Sequence, residues 1–316
     1  MLFPYSYPRQ VQSIFLRGRM KNITVFAHYD RNNLIDDYVI YYLNELKNVS
    51  EALIFVSDSD LPETELLKIK NIVDYTLAIR HGEYDFGSYK RGWKIAVDQG
   101  LLADADVLTF ANDSCIGPFS PLSQLYEEMN SQECDFWGFT SNENEFEKKY
   151  FLCPEANNRH IQSYFFVAKN NVFNSDVFNN FMRDIKKEKD KFNIIEKYEI
   201  GLSSTLVKAG YKFKSLSDEQ IGVLNLEDII NLEKESPFIL MKVSVLREFY
   251  FIFLLRLWFK KVKNYSEYPL EVITKYLKRI REIKYIKLVY IRKKIIRLHI
   301  SERKVFLFGK WINYGK

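Results

Sequence analysis

Five short stretches of this chain carry residue types that could do chemistry together. Ser57-Asp58-Ser59 closes an apolar run, so Asp58 stands where a carboxylate could accept the imide N–H of uracil or thymine; the same residues would also serve as an N-cap for the next helix. Arg80-His81-Gly82-Glu83-Tyr84-Asp85-Phe86-Gly87-Ser88-Tyr89-Lys90-Arg91-Gly92 sets glycines among basic side chains where a strand gives way to a helix. Glycine allows close backbone approach, helix N–H groups favour anions, and Arg80, Lys90 and Arg91 can pair with phosphate oxygens, a combination that suits a diphosphate. An ordinary turn followed by a solvated basic helix face explains the same residues equally well, and the spacing is neither that of a P-loop nor GxGxxG.

The third stretch, Ala111-Asn112-Asp113-Ser114, ends the apolar run Val107–Phe110 and precedes Gly117-Pro118. Asp113 could hold a divalent ion that neutralises a departing diphosphate, with Asn112 and Ser114 offering neutral oxygens; an Asx-turn after a strand is the simpler alternative. In the fourth, Glu199 sits at an expected helix start, where it could deprotonate a hydroxyl or merely complement the helix N-terminus. The fifth, His160-Ile161-Gln162-Ser163, offers His160 and Gln162 to an acceptor, although a lone histidine is more often simply hydrogen-bonded in place.

The elements that would position these residues follow from hydrophobic patterning. Short apolar runs at Ile23–His28, Ala52–Val56, Tyr75–Ile79 and Val107–Phe110 alternate with helical spacing over Leu34–Leu46, from Leu61, and over Phe86–Gln99. Such alternation predicts βαβ units and a mainly parallel sheet, in which ligands bind beyond the carboxyl ends of the strands. Further strands are expected at Phe136–Phe139 and Ser163–Ala168, and helices at Val172–Ile185 and Ile200–Ala209, the last stopped by Gly210.

The chain has 316 residues, 47% of them hydrophobic, enough for one large α/β domain with an appendage or for two domains. Cys115, Cys134 and Cys153 form neither a disulfide framework nor a CxxC zinc pattern, which points to a reducing compartment. No secretory signal is evident in residues 1–19, which read as a loosely anchored extension. The net charge of +5 conceals an asymmetry: from Leu240 onward there are 20 Lys and Arg against 5 acids, so the preceding part is acidic.

Taken together, these motifs resemble the rhamnan synthesis protein F family of bacterial polysaccharide glycosyltransferases. The resemblance is carried by Tyr84-Asp85-Phe86-Gly87-Ser88-Tyr89-Lys90-Arg91-Gly92, Asn112-Asp113-Ser114 with Gly117-Pro118, Phe136-Trp137-Gly138, His160-Ile161-Gln162-Ser163-Tyr164-Phe165 and Glu199-Ile200-Gly201-Leu202-Ser203, in that order over roughly residues 20–215. More distantly the order is similar to that of inverting GT-A glycosyltransferases. The resemblance implies a Rossmann-like nucleotide-sugar domain over residues 1–239 and a donor such as dTDP-rhamnose or a UDP-hexose. It implies that Asp58 contacts the base, that Asp85 and Lys90 lie near the nucleotide, and that Glu199 is the catalytic base. Ala111-Asn112-Asp113 takes the place of a DxD motif with only its second acid kept. A divalent metal, Mn2+ or Mg2+, would then rest on Asp113, or its role would pass to Arg80, Lys90 and Arg91.

Residues 240–316 read as a basic, aromatic helical region. A run such as Phe251, Leu254, Leu255, Trp258 and Phe259 is too short to span a bilayer, but it could insert shallowly while Lys and Arg meet anionic lipid. The same aromatics would alternatively complete the core or an oligomer interface between copies of the chain. The expected partners are therefore a nucleotide sugar, a lipid-linked glycan acceptor and the inner face of a bacterial plasma membrane, with no sequence-specific nucleic acid. A non-catalytic scaffold of a polysaccharide assembly complex is the alternative that Ala111 keeps open.

Overall fold

The computed structural model describes residues 20–142, 159–217, 240–248, 259–260, 262–264, 266–280, 304–307 and 310–313. It divides into two compact units, Met1–Tyr268 and Pro269–Lys316.

The first unit is built on strands β1 (Asn22–His28), β2 (Ala52–Ser57), β3 (Tyr75–Ala78) and β4 (Val107–Asn112), with helices α1 (Asp37–Asn48), α2 (Glu63–Leu66) and α3 (Tyr84–Asp98) between them. All four strands pair in parallel, in the order β3-β2-β1-β4. Their near-continuous apolar sequences fit this arrangement, because a parallel sheet flanked by helices is buried on both faces. Along β1, Val25 and Ala27 join the core cluster with Phe86, Tyr89 and Trp93 of α3, while Phe26 meets Tyr42 of α1 edge-on at 5.4 Å.

Beyond β4 the sheet turns antiparallel. After β5 (Cys115–Ile116) and α4 (Leu122–Asn130), strand β6 (Phe136–Asn142) pairs with the two-residue β7 (His160–Ile161) and with β8 (Phe165–Lys169), which lies against β4. Helices α5 (Asn170–Phe173), α6 (Asp176–Asp184) and α7 (Lys191–Ile194) follow, then a π-helical segment over Ile195–Ile200 that runs into α8 (Gly201–Lys208). Strand β9 (Phe213–Ser217) completes the sheet, pairing in parallel with β6. The fold is thus α/β with a mostly parallel central sheet, as the alternation in the sequence predicts.

Two details differ from the sequence expectation. The stretch expected as one helix over Val172–Ile185 is two, because the Ser175 hydroxyl accepts the Phe178 N–H and starts a new helix. The first compact unit also runs past residue 239. Strand β10 (Met241–Lys242) pairs antiparallel with β5 ahead of α9 (Val243–Glu248), and Tyr268 packs on Tyr41 and Phe119, each with ring centroids 4.6 Å away. Of the apolar residues expected at a membrane, Phe251, Leu254, Leu255 and Trp258 lie outside the described residues, as does the 1–19 extension. In the second unit a helix spans 270–280, and β11 (Lys304–Leu307) pairs antiparallel with β12 (Lys310–Asn313).

Gly92 fixes how α3 meets the sheet. A Cβ there would lie 2.2 Å from Val25 Cγ1 and 3.0 Å from Cγ2 on β1, so this glycine serves helix-on-strand packing. Gly92→Ala is expected to destabilise the fold by about 1 to 3 kcal/mol through overpacking, seen as a fall in Tm by circular dichroism. An unchanged Tm would mean that α3 is not seated this closely.

Candidate active site

Strand register brings the site together. Asn112 pairs with Ala27 and Ser57 with His28, so β1, β2 and β4 finish along one edge of the sheet. The segment 160–164 reaches the same edge because it precedes β8, whose first residue, Phe165, pairs with Ala111. Helix α3 begins there because it follows β3, and the π-helical segment packs against β7 and carries Glu199 up to His160.

At this edge a chain of polar contacts runs through Ser163. The Ser163 hydroxyl donates to Glu199 Oε2, and the Ser163 N–H donates to the same oxygen at 3.1 Å. On its other side the Ser163 hydroxyl lies 3.3 Å from Asp85 Oδ2, which also accepts from Asn112 Nδ2 at 3.1 Å. Asn112 Oδ1 in turn accepts from the Ser114 N–H at 3.1 Å. His160 Nε2 stands 3.6 Å from Glu199 Oε1. Asp113, next along the chain, accepts the Tyr29 N–H at 2.8 Å and lies 3.8 Å from His28 Nε2. A continuous path of side chains therefore leads from Asn112 through Asp85 and Ser163 to Glu199 and His160, with Asp113 the next residue along the chain and turned toward Tyr29 and His28.

The two carboxylates of this path have opposite electrostatics. Burial, reinforced by the nearby Glu199 charge, pushes the Asp85 carboxyl up to about 6. Burial would raise Glu199 too, but the His160 ring beside it and the hydrogen bonds from Ser163 prevail and hold it below the usual glutamate range. Glu199 is therefore ionised at neutral pH, the state a general base needs. Apolar packing backs the pair: Phe86, Tyr89, Phe110, Ile161 and Phe166 line a cavity of about 10 Å3 next to Ser163 and Glu199, room for about one water.

Other residues singled out in the sequence are placed differently. One Asp58 oxygen accepts the His81 and Gly82 N–H groups at 2.7 and 2.8 Å, so Asp58 clamps the loop before α3. Arg80 donates to Asp60 at 2.7 Å and to Asn33 at 2.6 Å on the exposed rim. Lys90 is not brought to the cluster: its Nζ donates to the carbonyls of Arg183 and Ile185, each at 2.7 Å, capping the end of α6. Arg91 forms a paired contact with Glu83 at 2.8 and 3.2 Å and holds the Glu83 carboxyl below its usual range. Gln162 accepts from the Thr140 hydroxyl at 2.8 Å. The expected cluster of basic side chains around a diphosphate is thus spent on bonds within the fold, since each cation has an intramolecular anion or carbonyl.

The family model of rhamnan synthesis protein F matches residues 53–307, most of the chain. The chain belongs to the rhamnan synthesis protein F family. Among curated proteins it is 30% identical over 188 residues to the virulence protein VirA of Vibrio anguillarum, covering 58% of this chain and 55% of that protein. It is 23% identical over 196 residues to the uncharacterised protein y4gN of Sinorhizobium fredii, covering 62% and 48%. The chain thus spans about half the length of these relatives.

Among solved structures, this member of the rhamnan synthesis protein F family is similar to a 4-diphosphocytidyl-2C-methyl-D-erythritol synthase, at TM-score 0.39 and 10% identity over 64% of this chain and 90% of that one. It is also similar to the Mn/GDP form of core-mannan synthase A from Aspergillus fumigatus, at TM-score 0.35 and 10% identity over 63% and 74%. Likeness of that order says nothing about activity.

Sequence reasoning passed over two members of the cluster in this rhamnan synthesis protein F family chain. Ser163 lay inside a quoted motif, yet nothing in one sequence marks a serine as the bridge between two carboxylates. His28 did leave a signal, a titratable residue closing an otherwise apolar strand. As for a metal, Ala111 supplies no ligand, and among the described residues no group of three or more His, Cys, Asp or Glu is placed to hold an ion. Asp113 can contribute a single carboxylate, which suits a hard cation that takes most of its oxygens from phosphate and water.

Proposed function

We propose that this chain is an inverting glycosyltransferase of polysaccharide synthesis that moves a sugar, rhamnose or another hexose, from a nucleotide diphosphate to an acceptor hydroxyl. The observation that carries this reading is the path from Asn112, beside Asp113, through Asp85 and Ser163 to an ionised Glu199 at the carboxyl edge of the parallel strands, where α/β sheets bind ligands. Glu199 takes the proton of the acceptor hydroxyl, and the resulting oxygen attacks the anomeric carbon from the face opposite the diphosphate. The bond from that carbon to the phosphate oxygen breaks, and its electron pair leaves with the diphosphate. Ser163 fixes the carboxylate of Glu199 and so keeps its basic oxygen in one orientation. A divalent cation, Mn2+ or Mg2+, would be shared between Asp113 and the diphosphate and would screen the leaving charge. The donor, dTDP-rhamnose or a UDP-hexose, the lipid-linked acceptor, and attachment to the inner face of a bacterial plasma membrane through the basic region from Leu240 are parts of the same proposal.

The test is a panel of nucleotide sugars, assayed for hydrolysis or transfer with and without manganese. Asp113→Ala is expected to weaken binding of UDP or dTDP in the presence of manganese by about tenfold, the loss of one charge-assisted contact, and to remove the manganese dependence. Titration calorimetry reads both. A chain that binds no nucleotide under either condition would be a scaffold and not a transferase.

A further inference from the structure

Tyr84 is held in a conformation that its own packing does not explain. Its φ is +58°, the left-handed region that a bulky aromatic rarely occupies, and it lies at the first turn of α3. Such strain persists only where the surroundings over-determine it, and here they do. Asp58 binds the N–H groups of His81 and Gly82, Arg91 holds Glu83, and Asp85 is fixed by Asn112 and Ser163. Every neighbour from 81 to 85 is anchored except Tyr84 itself. The side chain gains no burial in return: Tyr84 is 43% exposed, while Phe86 and Tyr89, two and five residues on, pack into the core. Among the described residues neither its ring nor its hydroxyl has a partner.

We infer that Tyr84 is the aromatic platform on which the donor's glycosyl ring lies. This inference rests on the transferase reading above. The reacting sugar must sit between the diphosphate near Asp113 and the base Glu199, and Asp85 is bonded between Asn112, the neighbour of Asp113, and Ser163, which holds Glu199. An exposed aromatic face beside Asp85 matches the apolar C–H face of a sugar ring, while the Asp85 side offers polar partners to its hydroxyls. Tyr84 immediately precedes Asp85 at the start of α3, so its exposed ring leaves the chain at the same edge of the sheet.

The experiment titrates the full chain with dTDP-rhamnose and dTDP, and with UDP-glucose and UDP, by calorimetry in the presence of manganese. It compares the wild type with Tyr84→Gly, Tyr84→Leu and Tyr84→Phe and records Tm for each. In the wild type the preferred nucleotide sugar is expected to bind about five- to tenfold more tightly than its free nucleotide. Tyr84→Gly and Tyr84→Leu should erase that ratio while leaving nucleotide affinity alone, and Tyr84→Phe should keep it. Tyr84→Gly should also raise Tm, since glycine accepts φ +58° without strain, and Tyr84→Leu should not. A sugar advantage that survives in Tyr84→Gly overturns the platform and leaves the transferase reading standing. A wild type that binds neither nucleotide nor nucleotide sugar overturns both.

Discussion

Glu199→Gln is expected to lower sugar transfer by two to four orders of magnitude, the usual contribution of a positioned general base, with nucleotide affinity and fold unchanged. Glutamine fits the site. Its amide oxygen can accept the Ser163 N–H and hydroxyl as the carboxylate does, and its side chain fills the same volume near His160. What it lacks is a basic lone pair. The measurement is kcat and KM on the donor panel with the acceptor saturating. A loss confined to kcat marks an interaction made in the transition state, whereas a rise in KM alone would make Glu199 a binding residue. Because hydrogen bonding holds the Glu199 carboxyl below its usual range, the wild-type rate should not begin to fail until the pH drops into the region of an ordinary glutamate or lower. The same depression gives a stability sign. Glu199 stabilises the fold above its unfolded pKa, and that contribution is lost as pH falls through the lower folded value. Activity lost already at neutral pH would show that some other group limits the reaction.

How far the sequence carried this site depends on whether the controlling interactions are local. Strands β1, β2 and β4 were legible because each is an apolar run ended by polar residues, and the candidates at their ends are those that parallel register then aligned. Gly210 was legible as a helix stop, and its φ of +94° is the conformation that only glycine takes readily. Helix α4 was missed although Leu122, Leu125, Tyr126 and Met129 repeat with helical spacing and are all buried. Lys90 was misplaced for a different reason. Its charge is visible locally, but the carbonyls it caps belong to residues 93 and 95 positions away, and no local rule supplies that partner. Glu199 was expected at a helix start and instead lies in a π-helical segment, an irregularity without a propensity signal and one that often accompanies functional sites.

Replacing Asp85 by asparagine should make the protein more stable at pH 7.5, a direction opposite to that of most core substitutions. Burial and the Glu199 charge raise the Asp85 carboxyl to about 6, above the 3.8 of an unstructured aspartate. For an acid whose folded pKa is raised, the folded state holds the proton longer than the unfolded one. Stability therefore falls as pH climbs from about 4 to about 6 and stays lowered above that. The loss at pH 7.5 is on the order of 2 to 3 kcal/mol. Asparagine is neutral throughout: with its oxygen in the place of Asp85 Oδ2 it still accepts from Asn112, and the one Ser163 hydrogen stays on Glu199. The advantage of Asp85→Asn, measured by urea unfolding against the wild type at each pH, should be full above pH 6.5 and gone near pH 3.8, where other carboxylates cancel in the difference. Glu199→Gln supplies the control. With the Glu199 charge removed, part of the cause of the Asp85 shift disappears, so Asp85→Asn should gain less in that background than in the wild type. An equal gain in both backgrounds would mean that burial alone sets the Asp85 proton and that the two carboxylates, although bridged by Ser163, do not sense each other.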